Sequence, residues 1–148
     1  MSEMEYKKDK RTKNLTLRDI HVGDWVQVWS EQAERYSPPL KIIQICDDGT
    51  IYLVTGDEER CTPWEEDIKN VDALPITPEL LQGFGFKQIM ESGSFRYGNN
   101  NFYFNTNINE LHDEYSDCGF KVDFFHDLQD SLSSLSYDIS FEWKGIEK

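Results

Sequence analysis

Hydrophobic and polar positions alternate along the first half of the chain with the period of β-strands. In residues 19–29, Val26 and Val28 point to one face while Trp25 and Trp29 point to the other, because strand side chains alternate with period two. A Gly-Asp pair before this run favours a tight turn. The pattern therefore predicts the entry strand of a small β-barrel, with one face filling the barrel.

Two apolar, β-branched runs follow at 40–46 and 50–55. They are joined by Asp-Asp-Gly, and an Asp-Gly pair between such runs is the strongest short-range hairpin signal. Both faces of the hairpin are apolar, with Leu40 and Ile42 on one and Ile43 on the other. This pattern predicts a hairpin that is covered on both faces.

Two further strands are predicted before the sequence pattern changes from that of strands to that of a helix. A short run at 61–64 and an irregular one at 67–75 complete five strands over about sixty residues. Together with the Gly-Asp-aromatic-Val entry, they predict an SH3-like barrel in residues 15–75. Such barrels host many binding roles, so the fold alone does not give the function.

The second half begins with a helix signal. Thr77 is a good N-cap, Pro78 suits the first helical position, and Glu79 complements the helix dipole. We therefore place the boundary between two subdomains here, with the second at 76–148. Residues 1–14, the leader, are polar and unpatterned and are predicted to be disordered.

An α+β arrangement is predicted for residues 76–148. Three short strands are expected, followed by an acidic loop or helical turn at 108–117. Asp123 is predicted to cap an amphipathic helix whose polar side includes His126. Residues 136–143 alternate in polarity and are predicted to form the last strand. The three strands are expected at 86–90, 94–97 and 101–107, and the apolar stripe of the helix is Phe124, Phe125, Leu128, Leu132 and Leu135.

Charge separates the leader from the rest of the chain. The net charge is −13; the leader holds five basic and three acidic side chains, and the remaining 134 residues hold ten basic and 25 acidic ones. A body this acidic repels phosphate backbones, so direct nucleic-acid binding is not expected. The aromatic content of 14% favours a globular protein over a disordered one.

Cysteine usage and hydropathy indicate the compartment. Cys46, Cys61 and Cys118 are an odd, sparse set without a C-x-x-C pair, which is typical of a reducing environment. Cys46 and Cys61 are expected to be buried in strands, and Cys118 to lie in a turn. Since no apolar run is long enough to cross a bilayer and no signal peptide is present, a soluble cytoplasmic protein without membrane partners is predicted.

Candidate metal ligands occur in two clusters of the second half. His126 and Asp130 are four residues apart on one helix face, and His112 with Glu114 offers further ligands. A polar helix face beside an acidic loop explains the same residues without a metal. No catalytic motif, nucleotide-binding loop or dinucleotide fingerprint is present, so we predict no catalytic residues and no cofactor.

Aromatic side chains are the stronger candidates for a binding surface. Trp29, Tyr52 and Trp64 are predicted to contribute to it, with Trp29 exposed. Trp25 is expected to be buried mainly at an interface between the subdomains.

Three motifs of this chain resemble a family of small uncharacterised proteins carried by gut bacteria and their phages or mobile elements. They are Gly23-Asp24-Trp25-Val26, then Leu74-Pro75-Ile76-Thr77-Pro78-Glu79-Leu80-Leu81 with Gly85-Phe86, then Phe125-His126-Asp127-Leu128-Gln129. The resemblance covers about residues 17–139. Phe125 and Leu74 stand where the family usually has Val and Ile, which suits packing positions. The resemblance implies a genetic context and no mechanism.

Three functions are compatible with these patterns. The first is a non-catalytic, cytoplasmic protein-interaction protein of phage or mobile-element type that binds a protein partner. The second is an acidic inhibitor that mimics nucleic-acid charge and occupies a host DNA-binding protein. The third is a metal-dependent enzyme that uses the His and acid clusters.

Overall fold

The computed structural model describes residues 15–55, 63–90, 93–115 and 118–145. The predicted disorder of the leader and the predicted burial of Cys61 lie outside these ranges. The chain divides into two compact units, Met1–Pro75 and Ile76–Lys148, here called the N-terminal and C-terminal units. Both are built mainly from antiparallel strands.

The N-terminal unit is a curled antiparallel sheet that forms a half-barrel. Its strands follow the order β2-β1-β3-β4-β5, and β6 pairs with β1. A 3-10 helix at Ile68–Asn70 precedes β6. The six strands are β1 (Trp25–Ser30), β2 (Arg35–Tyr36), β3 (Leu40–Ile45), β4 (Thr50–Val54), β5 (Trp64–Asp67) and β6 (Val71–Asp72).

β1 is the strand around which this sheet is organised. Its first part pairs with β3 through Trp25 and Val26, its middle with β6, and its end with β2 through Trp29. Five of its six residues are buried. Both faces of the entry strand are therefore buried, and different strands pair with its edges along its length.

The Asp-Gly hairpin is confirmed, but its predicted double cover is wrong. The Asp48 carboxylate accepts a hydrogen bond from the Thr50 amide at 3.0 Å, and Gly49 has φ +94°, which a side chain would strain. Leu40 and Ile42 are buried, whereas Ile43 is only half-buried. The register shifts between Ile42 and Gln44, and the face that carries Ile43 is only partly covered.

The rest of the N-terminal unit differs from the sequence prediction in its boundaries. β5 begins at Trp64, where the predicted strand was to end, and continues through three acidic residues. The 3-10 helix and β6 replace the single irregular strand at 67–75. β2 was not predicted, because two residues within a proline-containing loop carry no periodic signal.

The described residues of the C-terminal unit form a second antiparallel sheet and two helices. Its strands follow the order β11-β10-β9-β8-β7. β10 occupies part of the segment that was predicted as a loop or helical turn, and that expectation is wrong. The elements are α1 (Pro78–Gly83), β7 (Lys87–Met90), β8 (Ser94–Arg96), β9 (Phe102–Asn105), β10 (Glu110–Asp113), β11 (Cys118–Lys121) and α2 (Phe125–Ser134).

The start of α1 confirms the predicted helix signal. The Thr77 hydroxyl accepts a hydrogen bond from the Leu80 amide at 3.1 Å, and Pro78 occupies the first turn. Leu80 and Leu81 are buried. In the part of the chain that the structure describes, no helix is long and apolar enough to cross a membrane.

The start of α2 corrects two expectations. Phe124, and not Asp123, is the N-cap residue, and no side chain caps this end. The Asp123 carboxylate instead accepts a hydrogen bond from the Asn109 side-chain amide at 3.1 Å. His126 lies on the buried side of the helix, not on its polar side, together with Phe125 and Leu128.

Residues 136–143 alternate in burial but do not form a strand, so the predicted last strand is wrong. Odd-numbered residues face inward and even-numbered ones are exposed. The Lys144 amide donates to the Gly83 carbonyl at 2.8 Å, outside any ladder. The prediction failed because alternation of apolar and polar residues indicates only that one face of a segment is covered. A covered face does not require hydrogen-bonded strand partners.

Candidate binding groove

The sequence candidates for binding meet only partly, in an open groove of the N-terminal unit. The groove has a volume of about 750 Å³. It lies between the two ends of the curled sheet, with β1, β2 and the following loop on one side and β5 on the other. The lining residues are Val28, Trp29, Ser30, Ala33, Arg35, Tyr36, Ser37, Pro38, Trp64 and Glu66, and we call this feature the aromatic groove.

Trp29 and Tyr36 form one wall of the aromatic groove. They are direct partners across β1 and β2, and their rings meet edge to face with centroids 4.9 Å apart. The Tyr36 hydroxyl donates a hydrogen bond to the Asp72 carboxylate at 2.6 Å, which fixes the ring. Trp29 is only 5% exposed, so the expectation that it lies at the surface is wrong. Trp29 therefore packs against Tyr36 and exposes only a small part of its own side chain to solvent.

Trp64 forms the opposite wall and is the accessible aromatic residue. It pairs with Leu53 across β4 and β5, and Glu66 pairs with Ile51. Leu53 and Ile51 point into the core, so Trp64 and Glu66 lie on the inward face of the sheet. Trp64 is nevertheless 45% exposed. The reason is its place in the last strand of the path, where the half-barrel is open.

The loop after β2 is held against β1 by hydrogen bonds. The Val28 amide donates to the Ser37 hydroxyl at 3.0 Å, and the Ser37 amide donates to the Val28 carbonyl at 2.8 Å. The Ser30 hydroxyl accepts from the Ala33 amide at 3.1 Å and closes the preceding turn. This wall is therefore preformed, which lowers the entropic cost of binding.

Tyr52 and Trp25, the other aromatic candidates, do not line the groove. Tyr52 faces Glu65 across β4 and β5, on the outer face of the sheet. The Glu65 carboxylate raises the pKa of Tyr52, because a nearby negative charge disfavours the phenolate. Trp25 is 1% exposed, which makes it a core residue.

Three of the four candidate metal ligands have separate partners. His112 Nε2 lies 3.0 Å from a Glu110 carboxylate oxygen, and the Glu114 carboxylate pairs with Arg96 at 3.0 Å. His126 is buried with Nε2 3.3 Å from the Asp127 carboxylate. Within the described ranges, no three of His112, Glu114, His126 and Asp130 bring ligand atoms within 4.8 Å of one another. The four candidate ligands are therefore not brought together in one cluster.

Two cysteines differ from expectation. Cys46 follows the end of β3 and is only partly buried. Cys118 is the first residue of β11 and does not lie in a turn.

Sequence reasoning missed Tyr36, Arg35 and Pro38 as lining residues. The only available signal was an aromatic residue beside a Pro-Pro pair in a segment that looked like a simple loop. Comparisons with models of protein families, with curated proteins and with solved structures found no match to this chain. The resemblance stated above stays a prediction.

Proposed function

We propose that this protein is a non-catalytic, cytoplasmic protein-interaction protein of phage or mobile-element type, and that its aromatic groove binds an extended segment of a protein partner. The observation that carries the proposal is the meeting of Trp29, Tyr36 and Trp64 in one preformed groove. Grooves lined by aromatic side chains are a recurrent way to bind extended peptides.

The N-terminal unit is, in this proposal, an SH3-like barrel. Three observations support it: β1 pairs with both β3 and β6, strands β3 to β5 form a meander, and a 3-10 helix leads into β6. The groove lies between the two ends of this sheet and includes the loop after β2.

The geometry of the groove supports an extended ligand. The groove is open to solvent, and it is bounded by β1, β2 and the following loop on one side and by β5 on the other. Its volume falls in the range of small-molecule sites, about 300–1,000 Å³. The extended ligand is favoured because the groove lies beside the edge strand β5, and no cluster of catalytic groups converges on it among the described lining residues. The sparse cysteines support the cytoplasmic location.

Selection from a library of random displayed peptides tests the proposal. The immobilised full chain is expected to enrich a family of related peptides, and Trp64→Ala is expected to lose this enrichment because it removes the exposed wall. Tyr115→Ala is the matched control, since Tyr115 is an exposed aromatic residue of the C-terminal unit, 79% accessible. Equal enrichment by the wild-type chain and Trp64→Ala would overturn the proposal.

A further inference from the structure

β5 presents an edge with an unusual charge pattern beside the aromatic groove. It is the last strand of the path in the N-terminal unit, and none of the described strands pairs with it on the side away from β4. Edge strands offer a row of backbone donors and acceptors that can pair with another extended chain. The side chains of this edge, Trp-Glu-Glu-Asp, determine which extended chains can pair with it.

The two faces of β5 differ in chemistry. Glu65 and Asp67 lie on the outer face, whereas Trp64 and Glu66 lie on the inward face that lines the groove. A strand added to this edge would place its side chains alternately opposite these two pairs. Basic residues opposite Glu65 and Asp67 form favourable cross-strand pairs, and an apolar residue opposite Trp64 enters the groove.

Charge around the groove favours the same kind of ligand. Among the described residues that line the groove, Arg35 is the one basic side chain. The turn between β1 and β2 adds Glu31 and Glu34, both exposed, and β5 contributes three further carboxylates. A second copy of the chain would bring three carboxylates against three at a β5–β5 contact, which is repulsive.

We propose that the β5 edge binds a basic, extended segment of a partner protein by strand addition, with alternate Lys or Arg side chains opposite Glu65 and Asp67 and an apolar side chain against Trp64. This inference deepens the proposed function and rests on it. It specifies the ligand as a sequence in which basic and apolar or small residues alternate.

Binding of designed peptides tests the alternation. The probe is a blocked ten-residue peptide of alternating Lys and Val or Thr, compared with a scrambled peptide of identical composition, and measured by fluorescence anisotropy on the full chain. The alternating peptide is expected to bind at least about tenfold more tightly, because only its order places every charge on one face. Equal affinity of the two peptides would overturn the inference.

Backbone methylation tests strand addition itself. Successive amides of an extended segment point to opposite edges, so only alternate ones can donate to β5. A single N-methyl group on a central Lys or on the neighbouring Val should therefore abolish binding in one peptide and leave it within about threefold in the other. Equal tolerance of both groups would overturn strand addition.

Charge reversal on the protein gives a matched pair of variants. Glu65→Lys is expected to weaken binding of the alternating Lys peptide at least about tenfold, and the corresponding Glu peptide is expected to bind neither variant, because Glu66 and Asp67 remain. Glu142→Lys, an exposed site in the C-terminal unit, has the same charge change and should leave both affinities unaltered. An identical loss in the two variants would reduce the effect to net charge and overturn the inference.

Other occupants have distinct outcomes. A full-length variant with every basic residue of the leader changed to Gln tests whether the leader itself occupies the edge. If this variant bound the probe tenfold more tightly, the leader would be the occupant, and the proposal of a partner segment would be overturned. A dimer that dissociates on addition of the probe would assign the edge to a second copy. If displayed peptides are selected through Trp64 but no alternating probe binds, this inference fails while the proposed function stands.

Discussion

Two aromatic clusters, one in each unit, differ in what covers them. In the C-terminal unit, Phe84 stacks on Phe125 with ring centroids 4.2 Å apart, and Phe86 stacks on Phe141 at 5.6 Å. All four are nearly or fully buried. In the N-terminal unit, Trp29 and Tyr36 also pack against each other, but Trp64 across the groove is 45% exposed.

The difference arises from the chain that follows each cluster. In the C-terminal unit, residues 136–143 run across the cluster and place Phe141 against Phe84, Phe86 and Phe125. In the N-terminal unit, the path of the sheet ends at β5. The same residue types therefore build a closed core where the chain supplies a cover, and an open groove where a sheet edge is left. A cluster of the second kind is a candidate binding surface.

The largest expected effect separates the two clusters by stability. Phe141→Ala should lower the free energy of unfolding by about 3–5 kcal/mol, since it empties a packed aromatic site. Trp64→Ala should lower it by less than about 1 kcal/mol, because the ring is half exposed. Urea unfolding of both variants measures the contrast. Similar losses of stability in the two variants would mean that Trp64 is a core residue, and they would contradict the difference between the two clusters.

A smaller effect on stability tests whether residues 136–143, which cover the aromatic cluster, press on α1. A Cβ added to Gly83 would overlap the Trp143 ring, so Gly83→Ala should cost about 1–3 kcal/mol, although alanine normally stabilises a helix relative to glycine. In a Trp143→Ala background the same change should be neutral or stabilising. A double-mutant cycle measures this coupling. Additive effects would show that the segment does not press on α1.

The smallest effect concerns pH. Burial raises the pKa of Tyr137 to about 12, and its hydrogen bond to the Asp113 carboxylate, 2.7 Å long, adds to the shift. An unfolded tyrosine ionises near pH 10. The unfolded chain therefore releases this proton first, and stability should fall as pH rises from about 10 to 12. Urea unfolding across this range should show a shallower fall for Tyr137→Phe; identical slopes would contradict the shift.

Sequence patterns predicted elements better than they predicted the site. The entry strand, the Asp-Gly hairpin and the Thr77 cap depend on neighbours within a few residues, and such local physics is visible in sequence. The last strand failed because alternation reports a covered face and not a hydrogen-bonded partner. His126 was placed on the polar side because Phe124 was counted in the apolar stripe. Phe124 is the N-cap and lies outside the helix, and the buried face is formed by Phe125, His126, Leu128 and Leu132.

The groove itself depends on long-range pairing. Trp29 and Trp64 were both candidates, but they are brought to one groove only by the path from β1 to β5. Tyr52 was an equally good candidate from sequence, and it lies on the outer face because its parity within β4 is opposite to that of Leu53. Tyr36 lies in β2, a strand of two residues that is too short to show a periodic pattern in the sequence, so its place in the groove was not predicted.

The central claim is that the aromatic groove is a binding surface, and the indole N–H signals of the four tryptophans test it most directly. A peptide selected by the full chain is added to protein labelled with nitrogen-15 at tryptophan, and the four signals are assigned by substitution. We predict that Trp64 shifts most, that Trp29 shifts less, and that Trp143 in the C-terminal unit does not move. A shift confined to Trp143, or binding without any change at Trp64, would contradict the account.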